Sequence, residues 1–252
     1  MRVTRAMRAL GHPILPMLLV LPILSSCGTE EPPPATVPDG DLFPLTVGDF
    51  WLYDETKGGE TSQTRYEVAE QIDYDFAYDD QGALPVSVIN NTFPAGGGDT
   101  DSSGGYRLQY YHDDGTRVVR MRHDVYDETD TLTKVRDYVP GFLRFDRGKI
   151  TVGEQWAEDL TSYTDSTPED GDGVVTEGAS YLYEVLEPES VTVPAGTFDC
   201  VVVQRMRTSG SSVEIKIYYF APGVGKVKEI TEGTKEEVLV EYEVASTADG
   251  GV

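Results

Sequence analysis

Residues 213–219 read Val-Glu-Ile-Lys-Ile-Tyr-Tyr, so apolar side chains alternate with Glu214, Lys216 and Tyr218. Residues 237–244 read Glu-Val-Leu-Val-Glu-Tyr-Glu-Val and repeat that alternation. Successive side chains of a β-strand point to opposite faces, so a period of two is typical of half-buried antiparallel strands. The same period continues at residues 181–185 and at residues 118–122, where Val118, Arg120 and Arg122 alternate with Val119 and Met121.

The fold class follows from this pattern together with the turns. Residues 193–198 read Val-Pro-Ala-Gly-Thr-Phe, which favours a hairpin, and residues 221–225 read Ala-Pro-Gly-Val-Gly, which suits a type II turn. Outside the N-terminal segment no stretch has the period of an amphipathic helix. The sequence therefore predicts a mainly β protein, an antiparallel curved sheet or partial β-barrel with little helix.

An internal repeat divides the chain into two similar halves. Residues 45–51 read Leu-Thr-Val-Gly-Asp-Phe-Trp, and residues 150–156 read Ile-Thr-Val-Gly-Glu-Gln-Trp. Residues 108–112 and 216–220 form a weaker second pair. A duplication explains both pairs, so we expect Trp51 and Trp156 to begin equivalent strands and to be mostly buried. The halves span residues 42–147 and 148–246, as one or two closely packed β domains, before a tail at 247–252.

The N-terminus resembles a bacterial lipoprotein signal. Residues 1–26 carry three arginines, a short apolar run and the small residues Ser25 and Ser26 directly before Cys27. The run is too short for a membrane span, which needs about 20 apolar residues. The resemblance implies cleavage before Cys27, lipidation of that cysteine, and a membrane anchor. Residues 27–41 are then a polar, Pro-rich tether. The residue after Cys27 is Gly28, and a residue other than aspartate at this position resembles the signal that sorts Gram-negative lipoproteins to the outer membrane.

The charge balance excludes one class of partner. After Cys27 the chain has 17 lysines and arginines against 44 acidic residues. A surface of this sign repels phosphate backbones, so we expect no nucleic acid partner.

Few side chains are suited to catalysis. Cys200, the one cysteine besides Cys27, lies among apolar residues and is expected to be a buried small side chain rather than a nucleophile. His112 and His123 lie on successive predicted strands, an arrangement that allows a pair across a hairpin, but a two-His metal site needs a third ligand, and the preferred interpretation is that both are exposed or structural. No nucleophile elbow, zinc-protease motif or phosphate loop occurs. We therefore expect no catalytic residues and no cofactor.

A weak calcium site is the one metal hypothesis. Residues 170–173 read Asp-Gly-Asp-Gly, but Pro168 and Ala179 stand where an EF-hand needs acidic ligands. A looser site would use Asp165, Glu169, Asp170 and Asp172. Solvated turn acids are the preferred interpretation, so the prediction is no metal site, with Asp165, Asp170 and Asp172 as the calcium candidates.

Three phrases carry a family resemblance. They are FPLTVGDFWLYD at 43–54, VTVPAGTFDCVVV at 191–203 and YYFAPGVGKVKEI at 218–230. As a set they resemble the bacterial envelope lipoproteins of the TapB-like and DUF3108-type families, with the better match over about 150–242. The resemblance implies an antiparallel β domain and no known reaction.

Three functions remain open on the sequence. The first is a non-enzymatic envelope lipoprotein that binds a partner or assists envelope assembly. The alternative is a carrier that holds an apolar small molecule or lipid in a concave β-sheet, which requires an open cavity. The third is a hydrolase, which requires His112 or His123 to meet a carboxylate or hydroxyl in a cleft.

Overall fold

The computed structural model describes residues 40–76, 82–93, 104–166, 174–209 and 211–245, with side chains described outside 161–177. This part of the chain forms twelve β-strands and no helix. None of its elements is a helix long and apolar enough to cross a membrane. The strands are β1 (Phe50–Lys57), β2 (Glu60–Tyr74), β3 (Leu84–Thr92), β4 (Tyr106–Asp113), β5 (Arg117–Tyr126), β6 (Leu132–Asp146), β7 (Gln155–Ser166), β8 (Val174–Val193), β9 (Gly196–Ser209), β10 (Ser212–Ala221), β11 (Gly225–Thr231) and β12 (Lys235–Glu243).

The strands form one antiparallel sheet that closes into a barrel. Each strand pairs with the next along the chain, and β1 pairs with both β2 and β12. Closure satisfies the backbone groups that an edge strand would leave unpaired. The predicted antiparallel β fold with little helix is confirmed for the described residues.

The predicted turns fall between strands. Val193 pairs with Gly196, so Pro194 and Ala195 form a two-residue hairpin loop between β8 and β9. Ala221 pairs with Gly225 at the junction of β10 and β11, and Gly223 has a φ of 70°. A positive φ at this corner is the conformation that a type II turn requires and that glycine adopts without strain.

The two halves begin with the same turn. Gly48 N donates to the carbonyl of Val68 at 2.9 Å, and Gly153 N donates to the carbonyl of Val185 at 2.8 Å. Both glycines have a positive φ, 95° and 79°. The sequence Thr-Val-Gly-(Asp/Glu) therefore folds identically before β1 and before β7, the first and seventh of twelve strands.

The two tryptophans have equivalent places in their strands but different surroundings. Each is the second residue of its strand, so Trp51 and Trp156 do begin equivalent strands. Trp51 is 6% exposed, and Trp156 is partly buried and packs against the same core. The difference arises because Trp51 donates its indole N–H into the interior, while Trp156 stacks on Tyr183 at 5.1 Å and its Nε1 has no hydrogen-bond partner.

Residues 40–45 pack across one end of the barrel. The Phe43 ring lies near the rings of Tyr111, Phe145 and Phe220, with centroid distances of 5.9 to 6.4 Å. Arg147 at the end of β6 holds this segment, because its guanidinium bonds Asp41 at 3.3 Å. The chain thus enters the barrel wall after covering one of its openings.

Candidate functional site

The two histidines do not meet. In the β4–β5 register His112 opposes Val119 and His123 opposes Gln109, so the strands do not form the histidine pair that they allowed. His112 is partly exposed, and its Nδ1 lies 2.9 Å from the carbonyl of Pro85.

His123 is buried, and its Nδ1 lies 3.1 Å from the Tyr138 hydroxyl. Burial, together with the positive charge of Arg120 and its neighbours, lowers the pKa of His123 well below its usual range. His123 is therefore a neutral hydrogen-bonding group of the wall.

The thiol of Cys200 is fully buried, as expected. Burial and the nearby carboxylates of Asp199 and Glu189 raise its pKa to about 12. The thiol stays protonated at neutral pH, and a protonated thiol is a poor nucleophile.

Several predicted residues lie outside the part of the chain that carries described side chains. These are Cys27 and the calcium candidates Asp165, Asp170 and Asp172. Among the described residues, no group of three or more His, Cys, Asp or Glu side chains is placed to hold a metal ion. Lipidation and weak calcium binding stay predictions.

A cavity of about 510 Å³ lies in the lumen of the barrel, and all twelve strands contribute side chains to its wall. Phe43 and Pro44, from the segment that covers one end, also line it. Ten aromatic residues form much of the wall. They are Phe43, Trp51, Tyr53, Tyr66, Tyr111, Tyr138, Phe142, Tyr181, Tyr218 and Phe220.

The charge of this lumen is opposite to that of the protein. The chain as a whole has a net charge of −24. Yet nine basic residues line the cavity against three glutamates. They are Arg107, Arg120, Arg136, Arg144, Arg205, Arg207, Lys216, Lys226 and Lys235, against Glu214, Glu229 and Glu237. More than half of the basic residues that follow Cys27 therefore line one cavity.

The three lysines and two of the glutamates form a compensated network. Glu229 accepts hydrogen bonds from Lys216 at 2.7 Å and from Lys226 at 2.9 Å. Glu237 accepts one from Lys226 at 3.0 Å and lies 3.6 Å from Lys235. Although burial opposes each charge, these pairs raise the pKa of Lys226 and lower that of Glu229. This side of the lumen therefore carries fixed charges that largely neutralise one another.

The arginines form a second group, which we call the arginine cluster: Arg120, Arg144 and Arg205 around the ring of Phe142. Their guanidinium carbons lie 5.2, 5.4 and 5.3 Å from the centroid of that ring. A cation within about 6 Å of an aromatic face is attracted by its negative quadrupole. Three positive charges, from β5, β6 and β9, therefore lie around one phenylalanine ring.

The arginine cluster has little negative charge to balance it. Arg205 bonds Glu214 at 3.0 Å. Arg120 donates only to neutral oxygens, those of Gln109 at 2.9 Å and Tyr138 at 2.7 Å. Arg144 makes no hydrogen bond or ion pair with any residue that the structure describes. The cluster therefore carries an excess of positive charge.

A β-bulge aims Arg120 into the lumen. Tyr110 opposes Arg122 and Tyr111 opposes Arg120, so Met121 is an extra residue in β5. A bulge of this kind shifts the facing of the residues that follow it. Arg120 therefore lines the cavity, whereas Arg122 forms an ion pair with Asp124 at 2.7 Å beside the ring of Tyr110 on the opposite face.

The sequence did not predict that the polar face of strand β10 points into the barrel. In β10 it is Glu214, Lys216 and Tyr218 that line the cavity, while Val213 is 60% exposed. A period of two assigns residues to two faces but does not say which face is enclosed. A signal was present, since basic residues are scarce in this chain and several of them alternate with apolar ones on the predicted strands.

The fold and this site define a class: a closed antiparallel β-barrel with an aromatic, cationic lumen. Residues 183–243, which span the end of β8 and all of β9 to β12, match the family model described as DUF3108-like. The resemblance to the DUF3108-type family is confirmed over that region.

Two solved structures match this chain, each with a TM-score below 0.5. One is a protein from Bacteroides fragilis, inferred to be exported and to have a YmcC-like fold, with 16% sequence identity and a TM-score of 0.46. The other is a protein from Parabacteroides distasonis inferred to be a lipoprotein, with 17% identity and a TM-score of 0.43. Each comparison covers 80% of this chain and 98% of the other. No curated protein matches the sequence.

Proposed function

We propose that this protein is a non-enzymatic binding protein of the bacterial cell envelope, anchored through a lipid on Cys27, that holds a small molecule in its barrel. The observation that carries the proposal is the cavity of about 510 Å³ lined by side chains from all twelve strands. Small-molecule sites are typically clefts or cavities of about 300 to 1,000 Å³ with aromatic walls and a few polar groups. Barrels large enough to leave an interior space commonly hold one ligand there.

The anchor is supported by the sequence at residues 24–27, Leu-Ser-Ser-Cys, behind a basic and apolar start. The polar, Pro-rich composition of residues 27–39 supports it too, since a segment of this composition lacks the apolar residues of a packed core. The predicted tether is too long at its end, because Asp41 bonds Arg147 and the backbone of Gly223. A lipid-anchored binding protein of this design presents its cavity near the membrane surface.

Binding is favoured over hydrolysis by the chemistry of the described side chains. Arginine does not give up its proton in proteins, so the arginine cluster has no general base. The Cys200 thiol is protonated. His123 does meet a hydroxyl, that of Tyr138 on the cavity wall, but His123 itself does not line the cavity, and its lowered pKa makes it a weak base. Glu229 and Glu237 are engaged by lysines. These groups are suited to holding a ligand rather than to activating a nucleophile.

A carrier of a purely apolar molecule is less favoured than a carrier of a polar or charged one. An apolar ligand in this cavity would remove water from the guanidinium groups without replacing its hydrogen bonds, which is unfavourable. The aromatic wall still provides apolar contact. The geometry therefore supports a ligand that has both a polar or charged group and an apolar part.

Native mass spectrometry tests the proposal on the mature chain, residues 27–252 with Cys27→Ala, exported behind a cleavable secretory signal and isolated from the soluble exported fraction. We expect a bound small molecule in this protein and in Leu182→Trp, which changes an exposed side chain. We expect none in Leu160→Trp, which places a large ring in the lumen. The absence of a bound molecule from all three proteins, or its presence in equal amounts in all three, contradicts the proposal.

A further inference from the structure

We infer that the lumen binds an organic anion, whose negative group lies among Arg120, Arg144 and Arg205 and whose apolar body lies against the aromatic wall. This inference rests on the proposed function and names the chemical class of its ligand. Carboxylates, sulfonates and phosphate monoesters share the chemistry that the site would recognise.

The first argument is the uncompensated charge. Nine basic residues and three glutamates line the cavity of a protein that is otherwise strongly acidic. Lys235 also bonds Glu55 outside the lining, and Arg107 and Arg136 have interactions of their own, so these three are not counted as uncompensated. All three lining glutamates already form ion pairs: Glu229 and Glu237 with the lysines, and Glu214 with Arg205. Arg120 and Arg144 have no carboxylate partner among the described residues. An anion in the lumen would supply the missing charge, and the low dielectric around these buried guanidinium groups would strengthen that attraction.

The second argument is unmet hydrogen bonding. The Nε atoms of Arg120, Arg144 and Arg205 are all buried and have no hydrogen-bond partner. Buried donors are nearly always paired in folded proteins, so three orphaned donors of one type in one cavity call for an acceptor. Guanidinium groups bind carboxylate, sulfonate and phosphate oxygens through paired N–H bonds, which makes these groups the matching acceptors.

The third argument concerns the size and character of the ligand. A water molecule occupies about 30 Å³ in the liquid, so a bare inorganic anion would fill only a small part of the cavity. The rings of Tyr181 and Tyr218 lie within 5.5 Å of the Arg205 guanidinium carbon. A ligand whose anionic group sits at the arginines therefore has aromatic surface beside it. This combination selects an organic anion over inorganic phosphate.

Isothermal titration of the mature chain with Cys27→Ala tests the inference with three probes of one shape. They are naphthalene-2-sulfonate, naphthalene-2-methanol and naphthalene-2-methylammonium, which are negative, neutral and positive. We expect the sulfonate to bind at least about tenfold more tightly than the alcohol, because charge-assisted hydrogen bonds are roughly twice as strong as neutral ones. We expect the ammonium to bind most weakly, and the sulfonate affinity to fall as salt is added.

Variants assign the effect to the arginine cluster. Arg144→Gln should weaken sulfonate binding about tenfold and leave binding of the alcohol within about twofold, since one charged donor group is lost. Arg65→Gln is the matched control, because Arg65 pairs with Glu67 and does not line the cavity. If Arg144→Gln fails to fold, Arg144→Lys, which keeps the charge but loses the guanidinium fork, should weaken the sulfonate by several-fold.

Two outcomes separate this inference from the proposed function. Equal binding of all three probes, unchanged by Arg144→Gln, overturns the anion inference and leaves the small-molecule function standing. Failure of every probe to bind, with no small molecule retained in native mass spectrometry, overturns both.

Discussion

The indole Nε1 of Trp51 donates a hydrogen bond to the carbonyl oxygen of Val224 at 2.5 Å, across 173 residues of sequence. This bond joins the first strand of the first half to the turn between β10 and β11 in the second half. The same turn lies close to the start of the first half, since a Cβ atom at Gly225 would lie 3.3 Å from Pro44 and 3.6 Å from Trp51. The residues that begin one half therefore anchor the other.

The two tryptophans predict different costs for the same substitution. Trp51→Phe leaves the buried carbonyl of Val224 without its partner, so we expect it to lower the free energy of unfolding by about 1 to 3 kcal/mol. Trp156→Phe removes an N–H that has no partner, so its cost should be below about 1 kcal/mol. Urea denaturation of both variants measures the difference, and equal costs would contradict the assigned role of the Trp51–Val224 bond.

Glu229 predicts the acid sensitivity of the barrel. Burial alone would raise the pKa of Glu229. The positive charges of Lys226 and Lys216 outweigh that effect, so the pKa of Glu229 lies well below its usual value. A carboxylate whose pKa falls on folding stabilises the protein above its unfolded pKa of about 4.3, and that contribution is lost as the pH falls towards the folded pKa. We therefore expect stability to decrease below about pH 5.

Glu229→Gln tests whether Glu229 causes the loss of stability at acid pH. It leaves Lys216 and Lys226 with less negative charge in a buried site, so we expect a loss of about 3 kcal/mol at pH 7. The dependence of unfolding free energy on pH between about 2 and 5 should become shallower than in the wild type. Glu232→Gln, at an exposed turn, is the control and should leave both quantities unchanged. Parallel pH curves for Glu229→Gln and the wild type would refute the assignment.

Cys200 should be inert in the folded protein. Its thiol is fully buried and its pKa is raised to about 12, so iodoacetamide at pH 8 should leave it unmodified until guanidinium chloride unfolds the chain. In the mature chain with Cys27→Ala, mass spectrometry reports this directly. Val213→Cys combined with Cys200→Ala places the one thiol at an exposed site and should react at once. Rapid modification of native Cys200 would contradict its burial.

Lipidation should depend on Cys27 alone. We expect Cys27→Ala to move the protein from the membrane fraction to the soluble fraction and to abolish incorporation of labelled palmitate, since acyl chains provide the anchor. Cys200→Ala is the matched control and should keep both properties. Membrane association of Cys27→Ala equal to that of the wild type would show that another feature holds the protein there.

The strands and turns were predictable because they depend on local chemistry. A period of two and the placement of Pro194, Gly196 and Gly223 set the hairpins, and the repeated Thr-Val-Gly turns marked the start of each half. Closure of the barrel was not predictable, because the pairing of β1 with β12 joins segments almost 200 residues apart and leaves no local pattern.

The lumen was not predictable for a related reason. Alternation in β10 separated Glu214 and Lys216 from their apolar neighbours, yet only closure decides that these polar residues face inward. In β5 the bulge at Met121 separated Arg120 from Arg122, which strict alternation had placed on one face. The arginine cluster joins β5, β6 and β9 around Phe142, so no short motif contains it.

The central claim is that the arginine cluster binds the negative group of a ligand inside the barrel. The most direct test follows the Nε–Hε resonances of arginine by nitrogen-15 NMR while naphthalene-2-sulfonate is added to the mature chain with Cys27→Ala. We predict that the signals of Arg120, Arg144 and Arg205, whose Nε atoms now lack partners, shift in a saturable manner while that of Arg65 does not move. Saturable binding that leaves all three cluster signals in place would contradict the claim.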